Sequence, residues 1–464
     1  MEYSIEQIDQ IAGLVVAVVK KALAGKAEAG KPPQLHEVET TMRQVLKAAG
    51  AQGLGAYLSS AEGTPSSKRP CACGGELIYQ RRRSATVLSV FGRVAYKRAY
   101  YAGCACGHGQ APLDEHLGIE AGKVSAGLSE LLALAGVEMA FEQGRDWLKP
   151  FLLFEVSENT VRQETELFGE VQQAVEEEQC QHSQQEEFLQ KRLRMTADAP
   201  RRMYGSIDAA KVRIEPRKAA EKQGKRDEWR DMKVGCWYEA EAVPAGWQSK
   251  RQREKSEREQ GVHRAKDIRY YCDIMEASEF GKLMWGTGCE AKADLANELV
   301  FVCDGATWIW NLVGQYYPHA KQIVDWYHAE ERLERVAAAA FADVEKRGAW
   351  LKESLDELWA GQVDGVSERC QQLAGKCDEA QQAAGYFAHN AHRMRYDLFR
   401  AAGYLIGSGT VESACKQIVT HRLKRSGAQW TVTGAVQTAK ARAAWLSGQW
   451  NTLASRRAQL PLAA

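Results

Sequence analysis

The chain has 464 residues, with 61 lysines and arginines against 60 aspartates and glutamates and a formal net charge of +1. Hydrophobic residues make up 45% and charged residues 26%, the composition of a multidomain globular protein. A uniformly basic nucleic-acid coat is thereby excluded, so any such surface must be local. The opening Met-Glu-Tyr-Ser lacks the positive start of a secretory leader, and the apolar stretch 11–19 falls short of the roughly 20 residues that span a bilayer. A cytoplasmic protein is expected, with most of its 12 cysteines as reduced, buried thiols.

In chain order, Ile8, Ile11, Leu14, Val15 and Val18 recur at helical spacing, and residues 4 to 60 read as two helices split by a Gly/Lys/Pro stretch at 25–33. A linker at 59–70 leads into a β-like segment, where Thr86, Leu88, Val90, Val94 and Tyr96 partly alternate around a turn at Phe91-Gly92-Arg93. Residues 123–171 read as helical, and the Glu/Gln-rich stretch 172–190 as a solvated helix or hinge. Strands are predicted at 203–214, 232–238 and 268–275, with charged stretches at 217–231 and 250–266. The continuous apolar run 299–303 marks a strand buried on both faces, followed by a helix from about 306 and a strand at 322–324. Residues 329–399 and 410–453 are helical in pattern. Charge follows these divisions: 155–187 is acidic, while 68–98 and 393–457 are basic.

Four groups of residues carry candidate chemistry. Cys71-Ala72-Cys73-Gly74 and Cys104-Ala105-Cys106-Gly107 bracket the hairpin and can bring four thiolates around one Zn²⁺. Their one-residue spacing is tighter than that of common zinc knuckles, His108 can replace one thiolate, and four ordinary buried thiols are the plain alternative. Ser157 reads as the cap of a new helix after Phe141, Trp147, Phe151 and Leu152. This is the pattern of a helix-turn-helix with Arg162 toward DNA, or of a simple helical hairpin. Asp208 lies in a strand and Asp304 ends the buried strand, where open α/β sheets bind ligands, although each is also an ordinary turn or capping residue. Glu412 follows Gly407-Ser408-Gly409-Thr410, with Thr410 as the expected helix cap; Glu330 and Glu331 are its competitors as a third acid.

These residues resemble bacterial insertion-sequence transposases of the DDE class, most closely the ISKra type of the Mutator-like group. The most specific stretch is Ile406-Gly407-Ser408-Gly409-Thr410-Val411-Glu412-Ser413-Ala414-Cys415-Lys416, with His421-Arg422-Leu423-Lys424-Arg425-Ser426-Gly427 and Trp430. The resemblance implies a multidomain α+β chain divided into 1–66 (helical), 67–118 (zinc-binding β element), 119–195 (helix-turn-helix and linker) and 196–464. The last is a ribonuclease-H-like α/β catalytic domain with an all-helical insertion at about 329–400. It implies Asp208, Asp304 and Glu412 as an acidic triad for Mg²⁺ or Mn²⁺, Asp325 and His328 as an auxiliary Asp-x-x-His pair, and a structural Zn²⁺ on Cys71, Cys73, Cys104 and Cys106. Arg162, Lys416, Arg422, Lys424 and Arg425 are the expected DNA contacts, with double-stranded terminal repeats and target DNA as partners of a homodimer or higher oligomer. A catalytically silent DNA-binding regulator and a nuclease without strand transfer are the rival readings.

Overall fold

The computed structural model describes residues 5–24, 34–61, 63–119, 122–192, 199–215, 228–243 and 263–459. They belong to two units, one of Met1–Val171 with Asn451–Ala464 and one of Gln172–Trp450. The division falls at Val171, inside a helix.

The first unit opens with α1 (Ile5–Ala24) and α2 (Leu35–Ser60), the two helices that the apolar spacing predicts. The strands β1 (Lys68–Pro70), β2 (Glu76–Ser89) and β3 (Gly92–Ala102) form an antiparallel sheet, with Ser89 paired to Gly92 at the tip and Ile78 to Ala102 at the far end. Ala85, Val87, Val94 and Tyr96 bury one face of this ribbon against Leu58 of α2 and Leu113 of α3 (Pro112–Leu117). The helices α4 (Ala126–Glu138), α5 (Phe141–Leu152) and the start of α6 (Glu158–His182) share a second core around Leu128, Leu132, Leu148 and Val161. The expected cap of α6 is present: Ser157 Oγ accepts from the Thr160 N–H at 3.0 Å.

The second unit starts within α6 and continues through α7 (Glu186–Arg192) to a five-stranded sheet of order β6-β5-β4-β7-β8. The long strands β4 (Arg202–Ile214), β5 (Glu228–Ala242) and β6 (His263–Asp273) pair antiparallel. The short β7 (Glu298–Cys303) and β8 (Lys321–Val324), whose carboxyl halves are apolar and buried, add in parallel. The two charged stretches expected between the long strands lie largely outside the described residues. The helices α8 (Ala277–Glu290) and α9 (Thr307–Tyr316) follow β6 and β7. A run of helices then intervenes: α10 (Trp326–Ala340), α11 (Val344–Trp359), α12 (Val363–Leu373), α13 (Asp378–Asn390) and α14 (Tyr396–Ala401). Leu333, Val336, Leu358, Val366, Ala383 and Phe387 are fully buried within this run. The chain returns through α15 (Gly409–Ala414), a π-helical turn (Cys415–Thr420), α16 (His421–Leu423) and α17 (Val432–Leu446), and ends in α18 (Trp450–Gln459), which from Asn451 on belongs to the first unit.

The stretch 172–190 is not a uniformly solvated hinge. α6 runs unbroken to His182, and Gln172 and Glu176 are buried. Lys440 of α17 explains this: its ammonium pairs with Glu176 and, at 2.9 Å, with Asp273 at the end of β6. Lys440 is 2% exposed and keeps its charge, because the two carboxylates outweigh the effect of burial. Removing one member of a buried ionic group strands the others in low dielectric. Lys440→Met is therefore expected to cost on the order of 3–5 kcal/mol in chemical denaturation at pH 7, as when other buried pairs are broken.

Candidate active site and metal centre

Strand register sets the first part of the site. Gly205 of β4 lies opposite Phe301 of β7, and Cys303 opposite Val324 of β8. Continuing both ladders brings Asp208, in the middle of β4, level with Asp304 and Asp325, which follow the carboxyl ends of β7 and β8, where open α/β sheets form crevices. Each aspartate is oriented by its own backbone. Asp208 accepts from the Ala209 N–H at 2.7 Å, Asp304 from Ala306 at 2.9 Å and Asp325 from His328 at 3.0 Å. The turn and capping readings of these residues thus hold locally, and the same hydrogen bonds aim the carboxylates.

Asp304 precedes a turn that only glycine fits. Gly305 has φ +93°, and a Cβ there would lie 2.7 Å from the Tyr386 hydroxyl. That hydroxyl, on α13, donates to the Asp304 carbonyl at 2.9 Å, so the helical insertion fixes the acid's backbone. Nothing in the sequence signals this partnership between residues so far apart.

Asp325 is fully buried and fully engaged. One carboxylate oxygen caps α10 through His328, and the other accepts the Ser408 N–H. Trp326 N–H donates to Ile406 at 2.8 Å, and Tyr327 lies over Gly407. A single carboxylate thus joins the turn after β8 to the loop that leads into α15. Burial pushes its pKa up, but the hydrogen bonds from His328 and Ser408 hold it below the usual carboxylate range.

Glu412 projects from α15 next to this junction. Asp325, His328 and Glu412 each offer a ligand atom, and these atoms all lie within 4.8 Å of one another. Lys416 Nζ is 3.8 Å from Glu412, the pairing its position one helical turn on predicts. The cap of α15 is Ser408 rather than Thr410, and the Ser408 hydroxyl approaches Glu412 at 3.5 Å. Thr410 has a side chain suited to capping, but the backbone leaves the helix path two residues earlier. The π-helical turn after α15 is an element that recurs at functional sites, and it carries Cys415 beside Asp208. Glu330 is half-buried, Glu331 is exposed, and neither joins the cluster.

Electrostatics link the remaining members. Burial raises the pKa of Asp208, and the charge of Asp304 raises it further. His328 is raised to about 9, chiefly by Asp325, with Asp304 and Glu412 adding to the effect. Around His328 lies one electrostatic cluster: Asp325, Asp304 and Glu412 act on it, and Asp208 interacts with Asp304 and His328. Among the described residues, the group close enough to share one metal ion is Asp325, His328 and Glu412, without Asp208 or Asp304. The carboxylates of the cluster suit a hard divalent cation, which would relieve the repulsion that raises Asp208.

The second candidate centre lies in the first unit. Cys71, Cys73, Cys104 and Cys106 have sulfurs all within 4.8 Å of one another, with Cys71–Cys106 at 3.6 Å and Cys73–Cys104 at 3.4 Å. Tetrahedral Zn–S bonds of about 2.3 Å require sulfurs about 3.8 Å apart, so four thiolates at this spacing could hold a metal ion. Two matching turns build the site: Gly74 N–H donates to Cys71 and Gly107 N–H to Cys104, both at 2.9 Å. Both glycines have positive φ, +86° and +75°, which lets one-residue spacing fold back as a wider knuckle does. The Gly75 N–H and Cys104 lower the Cys73 thiol to about 7, which favours the ligating thiolate. His108 is not part of the group.

The expected DNA contacts are unevenly placed. Lys424 is exposed, whereas Arg422 is 2% exposed and enclosed with its guanidinium 5.2 Å from the Trp430 ring. Burial lowers the Arg422 pKa to about 9. Arg425 donates to the His421 carbonyl. Arg162 forms two hydrogen bonds to Glu166 and one to Asn159. Compared with models of known protein families and with curated proteins, the chain matches none.

The His328 environment has a measurable consequence in metal-free protein. A folded pKa near 9 against the ordinary 6.5 means that protonated His328 stabilises the fold fully below about pH 6.5. That contribution is lost as pH rises through 9. The stability difference between the wild type and His328→Gln should narrow across this window, and the imidazole resonances should titrate near 9. A pH-independent difference would mean that the ring is already neutral.

Proposed function

We infer that the protein is a DNA transposase of the DDE class. On this reading it binds the terminal repeats of its element, cleaves the ends and joins the 3′ hydroxyls to target DNA, as a dimer or higher oligomer. The observation that carries the reading is the clustering of Glu412 with Asp325 and His328, with Asp304 and Asp208 acting electrostatically on the same imidazole. The sheet, with three antiparallel strands and two parallel ones in the order β6-β5-β4-β7-β8, supports a ribonuclease-H-like assignment. So does the helical run between β8 and the helix that carries the last acid.

Each residue then has a part. Asp208, Asp304 and Glu412 are the oxygen ligands. Mg²⁺ or Mn²⁺ held there would activate the attacking oxygen and stabilise the leaving 3′ oxygen. Asp325 acts as a positioning residue, because both its oxygens are taken by backbone N–H groups. His328, positively charged at neutral pH, faces the site as a partner for the scissile phosphate. Lys416 lies on the exposed side of Glu412, where it can meet the DNA backbone. The four cysteines would hold a structural Zn²⁺.

Asp208→Asn and Asp304→Asn should each abolish cleavage of labelled element ends in Mg²⁺, by 10³-fold or more, while DNA affinity stays within a few-fold. Near-normal cleavage by either variant would remove that residue from the site. Wild-type protein that binds but never cleaves would favour the silent regulator, and cleavage without joined products would favour the nuclease.

Elemental analysis of dialysed protein should find about one zinc per chain. Loss of that metal in Cys73→Ser with Cys106→Ser would assign the ligands, and a metal-free, normally folded wild type would refute the zinc assignment.

A further inference from the structure

The segment from Lys68 to Ala102 carries eight lysines and arginines against one carboxylate, Glu76, in a chain whose formal net charge is only +1. Most of this excess sits on the half of the β2–β3 ribbon next to the four cysteines. Part of it is spent internally. Arg98 pairs with the buried Asp114 at 2.7 Å, and Asp114 also accepts from Tyr96. Arg82 donates to the carbonyls of Ser59 and Gly63, and Lys68 pairs with Glu76.

Besides Arg69 on β1 and Arg93 at the tip of the hairpin, Arg81, Arg83 and Lys97 remain. All three are exposed, and none is paired with a carboxylate among the described residues. Arg83 lies flat on Tyr100, 3.5 Å from the ring centre, which holds its guanidinium in place without using its outward N–H groups. Register places Arg81 opposite Tyr100, Arg83 opposite Arg98 and Lys97 opposite Ser84. Alternation along the strands then sends Arg81 and Arg83 to one face and Lys97 to the other. Cations thus stand on both faces of a rigid, two-stranded ribbon anchored by the cysteine turns at its base.

We propose that this half of the β2–β3 ribbon is a docking surface for double-stranded DNA, with Arg81, Arg83 and Lys97 on the phosphates. The choice of DNA rests on the transposase reading; the surface itself rests on the charge and geometry above. A two-stranded ribbon fits the B-form major groove, and cations on both faces reach the two flanking backbones. A-form RNA has a major groove too narrow to admit it. The ribbon also offers what Arg162 and Arg422 do not, exposed cations whose charge is not already neutralised.

The test measures binding, not cleavage, in Mg²⁺-free buffer with the full chain carrying its own metal. Fluorescence anisotropy on a 40-base-pair random DNA duplex, titrated with KCl, gives the salt slope. Arg81→Ala with Arg83→Ala should weaken binding at least tenfold and flatten the log–log slope by about 2, since each phosphate contact contributes about 0.9. The pair Lys321→Ala with Lys352→Ala, exposed cations of the second unit, should leave the slope unchanged. DNA should also protect Lys97 of the wild type from acetylation, read by mass spectrometry, which decides the matter even if the double variant folds poorly. An unaltered slope, an equal loss in the control pair, an unprotected Lys97, or tighter binding of an RNA duplex of the same sequence would each overturn the proposal. Failure to cleave, with this binding intact, would count against the catalytic reading alone.

Discussion

The buried carboxylate of Asp325 is the interaction on which the second unit's site depends. It accepts the His328 N–H with one oxygen and the Ser408 N–H with the other, and no part of it is exposed to water. Two backbone donors on one desolvated charge are strong partners, and leaving either unmet in that setting carries a large penalty. The consequence is geometric. The chain leaves the sheet after β8, builds five helices, and must bring Glu412 back to the strand ends it left. The Asp325 junction closes that excursion at its neck and sets the loop before Glu412 against the turn after β8.

The helical insertion contributes to the site as well as interrupting the chain. Tyr386 holds the Asp304 carbonyl, Tyr396 donates to the Val324 carbonyl at 3.0 Å, and Arg393 reaches Gln322 at 2.7 Å. These contacts fall on the ends of β7 and β8, where the carboxylates emerge. Lys440 does similar work behind the sheet, tying α6 and α17 to the end of β6 through buried charge. In both places a polar group is placed in low dielectric with its partners supplied. This makes the arrangement specific as well as stable.

The four-cysteine turns and the basic ribbon are best understood together. A three-stranded sheet with one exposed end has little apolar area of its own there: Leu77, Ala99 and Tyr101 make up the small buried cluster beside Cys71. Cross-linking the two turns through a metal would supply the rigidity that such a small core cannot. A rigid base is what lets the arginines above it meet a groove without a large ordering cost.

Much of the local structure was legible in the sequence. Apolar periodicity gave the paired N-terminal helices, alternation gave the hairpin, and the short apolar run gave β7, because these patterns report which side of an element is buried. Two Cys-x-Cys-Gly repeats announced a four-sulfur cluster, since only such turns bring thiols from two separate segments together. The Gly-Ser-Gly turn before Glu412 marked the return to the site. Tertiary structure alone decided the rest. Ser408 became a cap and a donor because Asp325, far away in the chain, needed a partner. Glu176 was buried because Lys440 approached it, although its own neighbours read as solvated. Arg422, which reads as a DNA contact, is enclosed beside Trp430, whereas Arg81 and Arg83 are exposed. Local pattern encodes burial and turn geometry; which charge meets which carboxylate depends on non-local packing, and no short window of residues contains it.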